Sequence, residues 1–417
     1  MDADVLVIGA GLAGLNAARG IERAGLTPLV LESSDAIGGR VRTDAVDGFR
    51  VDRGFQLLNP AYPALRRAVD PATLALRPFG RGVAVRTGAG LQVLADPFRS
   101  PLRAGELARA GLSDASGAWG LARWLLPAMR GKKALSAASD LTLSESQDAA
   151  GVHGPLRTGV LEPFLAGVLA DDQGGTSASF ARWLAHWFAL GTPSLPAQGM
   201  AALPAALRAA LKADVRLATT VDALDRDGGA WVARTSGGSL SARAVVLAAG
   251  PVASAGLAGG AAPRMRGLAT WWFAPDEAPT AATYLHVDGE RGGPVVNSAV
   301  VSNVQPAYAP AGRHLVQAST LLGEGLAGEG FAGRAPSQAD VRTHLGRLYD
   351  RSAQDWPVVA VHHVPHALPA IEPGGWLRTA ISRDGLVVAG DQGDASIQGA
   401  MQSGQDAAAH VIGLLHG

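Results

Sequence analysis

Residues 4–14 of this 417-residue chain read Asp-Val-Leu-Val-Ile-Gly-Ala-Gly-Leu-Ala-Gly, an apolar run that opens directly into G-x-G-x-x-G. Val5 to Ile8 is short, continuous and partly β-branched, which predicts a buried parallel strand. Gly9 permits the tight turn that follows. Gly11 lets the backbone approach a pyrophosphate, and Gly14 lets the next helix pack close to the strand. With Ala10, Leu12 and Ala13 between them, these residues form a candidate phosphate cradle. Leu12 to Ala24 is helix-compatible, with Leu15, Ala18 and Ile21 at helical spacing. Its N-terminus would aim free N–H groups and the positive end of the helix dipole at phosphates. Thr27 to Leu31 predicts a second strand. Glu32, followed by Ser33, stands where an acid accepts hydrogen bonds from a ribose hydroxyl. A strand before the glycines, a helix after them and an acid at this distance together predict a tightly bound dinucleotide.

The next segments distinguish between dinucleotides. Gly38-Gly39-Arg40 with Arg42-Thr43, and then Gly48-Phe49-Arg50-Val51-Asp52-Arg53-Gly54-Phe55-Gln56, resemble the extended motif of the flavin amine oxidase and phytoene desaturase superfamily. The resemblance implies FAD. It implies that Gly38 and Gly39 let the chain pass close to the cofactor and that Arg40 meets the pyrophosphate. It also implies that the loop containing Gly54, Phe55 and Gln56 reaches the flavin ring edge. The plainer alternative for Arg40, and more so for Arg42, is an ordinary surface arginine.

A second resemblance lies at the other end of the chain. Leu386 to Ala389 predicts a strand running into Gly390-Asp391. Ser396-Ile397-Gln398-Gly399-Ala400-Met401 then opens a helix to about Leu415. In the superfamily this aspartate holds the ribityl or phosphate region, and the helix begins under the flavin. The backbone of Gln398, Gly399 and Ala400 would then stabilise negative charge on reduced flavin. Between the two ends, strand-like runs at 215–217, 230–233 and 244–249 resemble the middle of the same FAD domain. There a valine at the position of Val221 meets the adenine through its backbone. The plainer alternatives are a turn or cap residue for Asp391 and a core valine for Val221.

These matches give an α/β fold class: a discontinuous Rossmann-like FAD-binding domain (1–57, 199–261 and 385–417) with a second α+β substrate-binding domain (58–198 and 262–384). The first insert is helix-rich in pattern, at 121–129 and 179–190. The second carries strand-like runs at 269–273, 281–287, 295–304, 314–321 and 358–364. In the run Trp271-Trp272-Phe273, strand alternation sends Trp271 and Phe273 to one face and Trp272 to the other. Either face could line a substrate cavity or pack in a core.

Composition limits the chemistry. The chain has 36 basic and 36 acidic residues, so a nucleic acid partner, which calls for a basic excess, is not expected. It has no cysteine, which excludes disulfides, thiolate metal sites and a cysteinyl flavin. Attachment through histidine stays open. The three lysines are Lys132, Lys133 and Lys212. None lies in the second insert, where amine oxidases proper place a lysine near flavin N5. His362, His363 and His366 have loose spacing, and Pro365 interrupts any helix, so no metal is expected.

The resemblance therefore implies an FAD-dependent oxidoreductase that removes hydride from a largely apolar small molecule, in the manner of a carotenoid or phytoene desaturase. An amine, a porphyrinogen and a redox-neutral carotenoid isomerisation are the alternatives, with oxygen or a quinone as the electron acceptor. No apolar run has the length to span a bilayer. The first strand starts almost at Met1, so the expected location is cytoplasmic. Residues 119–129 are apolar, with Arg123 inside the run, and lead into Arg130, Lys132 and Lys133. They read either as a buried helix with a basic end or as a peripheral contact at the inner face of a membrane. The segments 161–172 and 193–200 look like stretches found in desaturase-like members and carry no assigned catalytic role.

Overall fold

The apolar run at the N-terminus forms β1 (Ala3–Ile8), and Val5, Leu6 and Val7 have no solvent exposure in the computed structural model. The structure describes residues 1–95, 111–112, 115–137, 139–325, 335–377 and 382–416. Strand β1 lies between two parallel neighbours, β2 (Pro28–Leu31) and β12 (Gly238–Leu247). Beyond β2 lies β9 (Val215–Arg216), also parallel. Strand β12 is long enough to serve two partners on its other side. Gly238 to Ala242 pair antiparallel with β11 (Ala230–Thr235), and Val245 to Leu247 pair parallel with β19 (Leu386–Val388). The sheet is completed by β10 (Val221–Asp227) against β11 and by β18 (Ser382–Arg383) against β19. One sheet thus draws strands from three separated stretches of the chain.

Two helices bind the chain ends together. Helix α1 (Leu12–Arg23) follows β1, and α9 (Ile397–His416) follows β19. They cross closely because small residues meet at the contact. A Cβ on Gly404 would lie 2.2 Å from the Ala13 carbonyl oxygen, and one on Gly20 would lie 2.8 Å from Ala408 Cβ. The Asn16 side chain donates to the Met401 carbonyl at 2.8 Å.

The second sheet has the order β17-β13-β16-β15-β14-β6-β7. Its strands are β6 (Gly82–Thr87), β7 (Gly90–Ala95), β13 (Met265–Phe273), β14 (Leu285–Asp288), β15 (Val295–Val300), β16 (Val316–Gly325) and β17 (Val358–Pro369). All its pairs are antiparallel except β14 with β6. Trp271 and Phe273 pack under α8 (Gln338–Tyr349) with Val341 and Leu345. Trp272 joins the opposite cluster with Val51 and Tyr308. The alternation is as expected, and both faces are packed core.

Several boundaries differ from the sequence expectation. The first insert holds the hairpin β6–β7 as well as its helices α2 (Pro63–Ala68), α3 (Ala115–Met129), α4 (Lys132–Ala137), α5 (Leu143–Ala150), α6 (Glu162–Leu169) and α7 (Ala178–Leu190). The Gly88-Ala89-Gly90 turn was the available signal. The run at 281–287 becomes strand only from Leu285. Thr280 turns the chain by accepting from the Ala282 N–H, and Asn303 clamps the Thr280 and Ala282 carbonyls. The run at 295–304 leaves the sheet after Val300, where a helical turn (Val301–Val304) begins. Strand β17 instead runs five residues past Val364 to Pro369. It is an edge strand, where Pro365 and its missing N–H are tolerated.

The hairpin β3 (Thr43–Val46) and β4 (Phe49–Asp52) joins the two sheets. Trp272 Nε1 donates to the Asp52 carbonyl at 3.2 Å. A short pair, β5 (Arg77–Pro78) with β8 (Ser194–Leu195), lies nearby.

Candidate active site

The cradle predicted at 9–14 sits where β1 ends and α1 begins. Gly9 has φ of +104°, and a Cβ there would lie 2.3 Å from the Ala248 carbonyl oxygen. A Cβ on Gly14 would lie 1.9 Å from the Gly9 carbonyl oxygen. At Gly11, by contrast, a Cβ would meet nothing within 4 Å. Two glycines are wedged against the protein, and the one between them faces open space. That is the arrangement a pyrophosphate requires. Gly38 and Gly39 also have positive φ, at +110° and +59°, and Gly38 bridges to Gly11. The Gly38 N–H donates to the Ala10 carbonyl at 2.9 Å. The double glycine is therefore folded against the cradle, with Leu12 and Ala13 buried beneath it.

Glu32 does more than the sequence anticipated. Its Oε2 accepts from the Ala10 N–H at 2.7 Å. Its Oε1 accepts from the Ser34 N–H at 2.9 Å and the Ser34 hydroxyl at 2.6 Å, with the Ser33 hydroxyl at 3.4 Å. The carboxylate ties the second strand to the cradle. The Thr219 N–H reaches the Glu32 carbonyl at 2.8 Å and the Ala218 N–H reaches that of Ser34 at 2.9 Å. Val221, at the start of β10, is thereby brought beside Glu32 and Ser33.

The two chain ends meet at Arg40. Its guanidinium contacts Asp391 Oδ1 at 2.5 Å and the Ala367 carbonyl at 2.8 Å. The aspartate is buried, so the arginine is the charge that compensates it. Gln56 donates through Nε2 to the Arg40 carbonyl at 2.9 Å, while its buried Oε1 has no partner among the described residues. Gly54, with φ of +88°, lies against Val364 of β17. Phe55 packs edge-to-face on Phe79. Arg42 pairs with exposed Asp35 at 3.0 Å, so its observed partner is a surface carboxylate.

At α9, Gly390 has φ of +154°, and its N–H donates to the Ser403 hydroxyl. Ser396 takes up the Gly399 N–H through its hydroxyl and the Ala400 N–H through its carbonyl. The Gln398 side chain turns away to accept from the Ala64 N–H at 2.9 Å. Asp394 lies beside this helix start. It accepts from Trp183 Nε1 at 3.0 Å and from the Ser396 hydroxyl at 2.6 Å. Burial pushes its carboxyl above the usual range, against the pull of those two donors.

Sequence reasoning missed the polar knot beside the loop at 54–56. Asp52 is fully buried, and its carboxylate accepts from Thr43 Oγ1 at 2.5 Å, the Met200 N–H at 3.0 Å and Tyr308 Oη at 2.7 Å. Burial raises its pKa to about 6 despite these donors. His362 approaches the Asp52 carbonyl through Nδ1 at 3.1 Å and Asp44 through Nε2 at 3.1 Å. His363 lies on the other face, edge-on to Trp271. Among the described residues no group of three or more His, Asp or Glu side chains gathers as a metal site.

The two desaturase-like stretches are structural. Asp171 holds the loop at 173–176 through backbone N–H groups and pairs with buried Arg266 at 3.3 Å. At 193–200, Ser194 and Leu195 form β8, and Gly199, with φ of +79°, passes against Thr43.

The model of the flavin containing amine oxidoreductases matches residues 12–412, nearly the whole chain. The chain belongs to the flavin-containing amine oxidoreductase family. Its cofactor is accordingly FAD, and the open cradle at Gly11 and the unpartnered Gln56 Oε1 fit such a group. A flavin-family relative of known sequence is putrescine oxidase from Kocuria rosea, 44% identical over 70 residues, which are 17% of this chain and 15% of that protein. Polyamine oxidase 2 from Arabidopsis thaliana is 46% identical over 69 residues, 15% of this chain and 14% of that one. These matches span only about a seventh of each relative. Over the whole chain the likeness to individual proteins is in structure. A protein provisionally named protoporphyrinogen oxidase, from Exiguobacterium sp. 255-15, superposes with a TM-score of 0.77 at 19% identity, covering 99% of both chains. Cyclohexylamine oxidase from Brevibacterium oxydans IH-35A gives 0.71 at 16% identity, covering 100% of both. At such identities the likeness establishes the fold.

Proposed function

We propose that this protein is an FAD-dependent oxidoreductase that removes hydride from a C–H bond of a largely apolar small molecule. The observation that carries the reading is the junction of Arg40 with Asp391, which joins the N-terminal cradle to the start of α9 at one place. In this reading the three stretches of the first sheet (1–57, 199–261 and 385–417) hold FAD, and 58–198 with 262–384 cover the substrate. Bound FAD would supply a two-electron acceptor for the hydride.

The chain's own residues would do the rest. Gly11, Gly38 and Gly39 would admit the pyrophosphate. Glu32 would add a ribose hydroxyl to the donors it already holds, and Val221 would offer its backbone to the adenine. Arg40 and Asp391 would fix the region between phosphates and ribityl chain. Gln56 Oε1 would accept from a donor on the ring. Since Ser396 already occupies the Gly399 and Ala400 amides, Gln398 is the amide of that turn offered to developing negative charge.

The apolar substrate is supported by the groups around Gln56. Phe55 and Leu57 flank it in sequence, and half-buried Phe164 packs against both main clusters and edge-on to Phe188. No lysine occurs in the second sheet, and the chemistry proposed needs no protein acid or base, because the hydride would go to the flavin and the proton lost from the neighbouring carbon to water. A carotenoid-like polyene is the substrate class we favour, with oxygen or a quinone as acceptor, in the cytoplasm at the inner face of a membrane. Oxidation of an amine is the second reading, and it is favoured by the amine oxidases among the relatives.

Anaerobic titration of the flavin absorbance with polyene, amine and porphyrinogen candidates tests these readings. Bleaching by the polyene alone is expected. Bleaching by an amine alone would replace the first reading with the second. Isomerisation of the polyene under dithionite, with no net oxidation, would point to a redox-neutral isomerase.

A further inference from the structure

Helix α3 carries large apolar side chains on its outward face. Its inner side is ordinary core. Trp124 is 2% exposed and donates through Nε1 to the Ser146 hydroxyl at 2.7 Å. Gly120 passes so close to Gly151 that a Cβ would lie 2.2 Å from its carbonyl oxygen. The outer side is the reverse of a soluble helix. Trp119 is 72% exposed, and Leu126 and Met129 are each 49% exposed. With exposed Ala122 they follow a spacing of three, four and three residues, which puts all four on one face of the helix. Large apolar side chains at this exposure are otherwise scattered singly among the described residues, at Met1, Leu91, Leu141, Leu190, Leu217 and Leu414.

Charge identifies what the face fits. Arg123 and Arg130 are exposed and seven residues apart, about two turns, so both lie along one flank of the apolar stripe. Lys132 and Lys133 follow at the start of α4, also exposed. From Trp119 to Lys133 there are four cations and no acid, in a chain whose formal charge is zero. An apolar centre flanked by cations matches an interfacial helix on anionic lipid. A helical partner protein would be served by the apolar stripe alone and would not need the one-sided charge.

The position of the helix also connects it to the site. The Trp124 carbonyl accepts from Arg182 Nε at 2.8 Å, and the Ala128 carbonyl is 2.8 Å from His186 Nδ1. Both partners are on α7. The same helix carries Trp183, which reaches Asp394 at the start of α9. One layer of helix separates the outer face of α3 from the residues proposed to meet the flavin. No helix among the described residues is long and apolar enough to cross a membrane, so the contact would be at the surface.

We propose that the face formed by Trp119, Ala122, Leu126 and Met129, with Arg123, Arg130, Lys132 and Lys133 beside it, docks this protein on an anionic lipid bilayer. This deepens the peripheral contact proposed above and rests on it, but not on the identity of the substrate.

Flotation of the purified holoprotein with vesicles tests it. The protein should float with an equal mixture of phosphatidylglycerol and phosphatidylcholine, and poorly with phosphatidylcholine alone. Trp119→Glu should remove flotation while leaving bound flavin and melting temperature as in the wild type. Lys132→Glu with Lys133→Glu should weaken it by more than about tenfold, since each basic residue near an anionic surface contributes roughly fivefold. Absence of wild-type flotation at low salt would overturn both the membrane contact and this face. Flotation unchanged in Trp119→Glu would leave the contact standing and overturn the face. A dimer in solution that Trp119→Glu converts to monomer would assign the face to a second copy of the chain and overturn the proposal.

Discussion

Gly14→Ala is expected to leave the protein without FAD. The added Cβ would lie 1.9 Å from the Gly9 carbonyl oxygen and 3.4 Å from Ala248 Cβ. Neither the backbone of β1 nor that of β12 can yield, because both are held in a parallel ladder on each side. The first turn of α1 must therefore move outward, away from β1. That shifts the amides at 11–13 and strains the close crossing of Ala13 with Gly404. A clash of this kind in a packed interior costs about 3 kcal/mol of folding stability, and FAD affinity falls in addition because the amides at 11–13 are displaced from the phosphate cradle. Gly11→Ala is the matched control. Its Cβ meets no protein atom within 4 Å, so the apoprotein should keep its stability and lose affinity only through contact with the ligand. Fluorescence titration of apoprotein with FAD, beside urea denaturation, separates the two. Equal stability loss in both variants would contradict the account.

The second large effect is expected at Asp52. Asp52→Ala leaves the buried Met200 N–H and Tyr308 hydroxyl and the half-buried Thr43 hydroxyl without this acceptor. At about 1–3 kcal/mol for each orphaned group, with partial relaxation of the two hydroxyls, the cost is about 3–5 kcal/mol. Asp52→Asn keeps the acceptor for Thr43 and Met200 and can donate to Tyr308 Oη, so it should cost little. It should also change the pH dependence. Burial raises the Asp52 pKa from 3.8 to about 6, so folding favours the protonated carboxyl. Its contribution is fully present below about pH 3.8 and is lost as the pH rises through about 6. The loss amounts to about 3 kcal/mol. The stability of Asp52→Asn relative to wild type should therefore increase by about that amount between pH 4 and pH 7. A difference that is flat over this window would contradict the assignment.

The first sheet was legible because each of its signals is local. β-Branched runs, glycines at fixed offsets and an acid at the end of a strand are all contiguous in the chain. The closing of the two ends was legible only as a resemblance. The physical reason for it, Gly404 and Gly20 meeting Ala13 and Ala408, lies in small residues that carry no periodic signal of their own. The knot at Asp52 was not legible at all. Thr43, Met200 and Tyr308 are brought to it from β3, from the loop just past the first insert and from the second insert, and a lone aspartate in a strand gives no hint of them. Trp124 illustrates a different limit. The apolar run from Trp119 to Met129 read as either buried or membrane-facing, and the structure divides it by face. Helical periodicity could have assigned Trp124 and Trp119 to opposite sides, but a run with large apolar residues on both sides does not say which side is inward.

The bond from Trp183 Nε1 to Asp394 and the ring contacts of Trp183 with Trp187 and Trp376 lie at the start of α9. They give that helix N-terminus a rigid aromatic backing. Rigidity there follows from the chain itself, since Leu377 N–H also donates to the Gly393 carbonyl at 2.9 Å. A helix start held in this way offers a fixed amide to whatever binds above it, without reorganisation at the moment of reaction.

The central claim is that the first sheet and its two glycine-rich turns hold one FAD per chain. The most direct test is the flavin content of the purified protein, read from the visible spectrum and from the nucleotide released on denaturation. The account predicts one equivalent of FAD, released as such. A protein that carries no flavin and takes up none when offered FAD, or that binds NAD in its place, would contradict it.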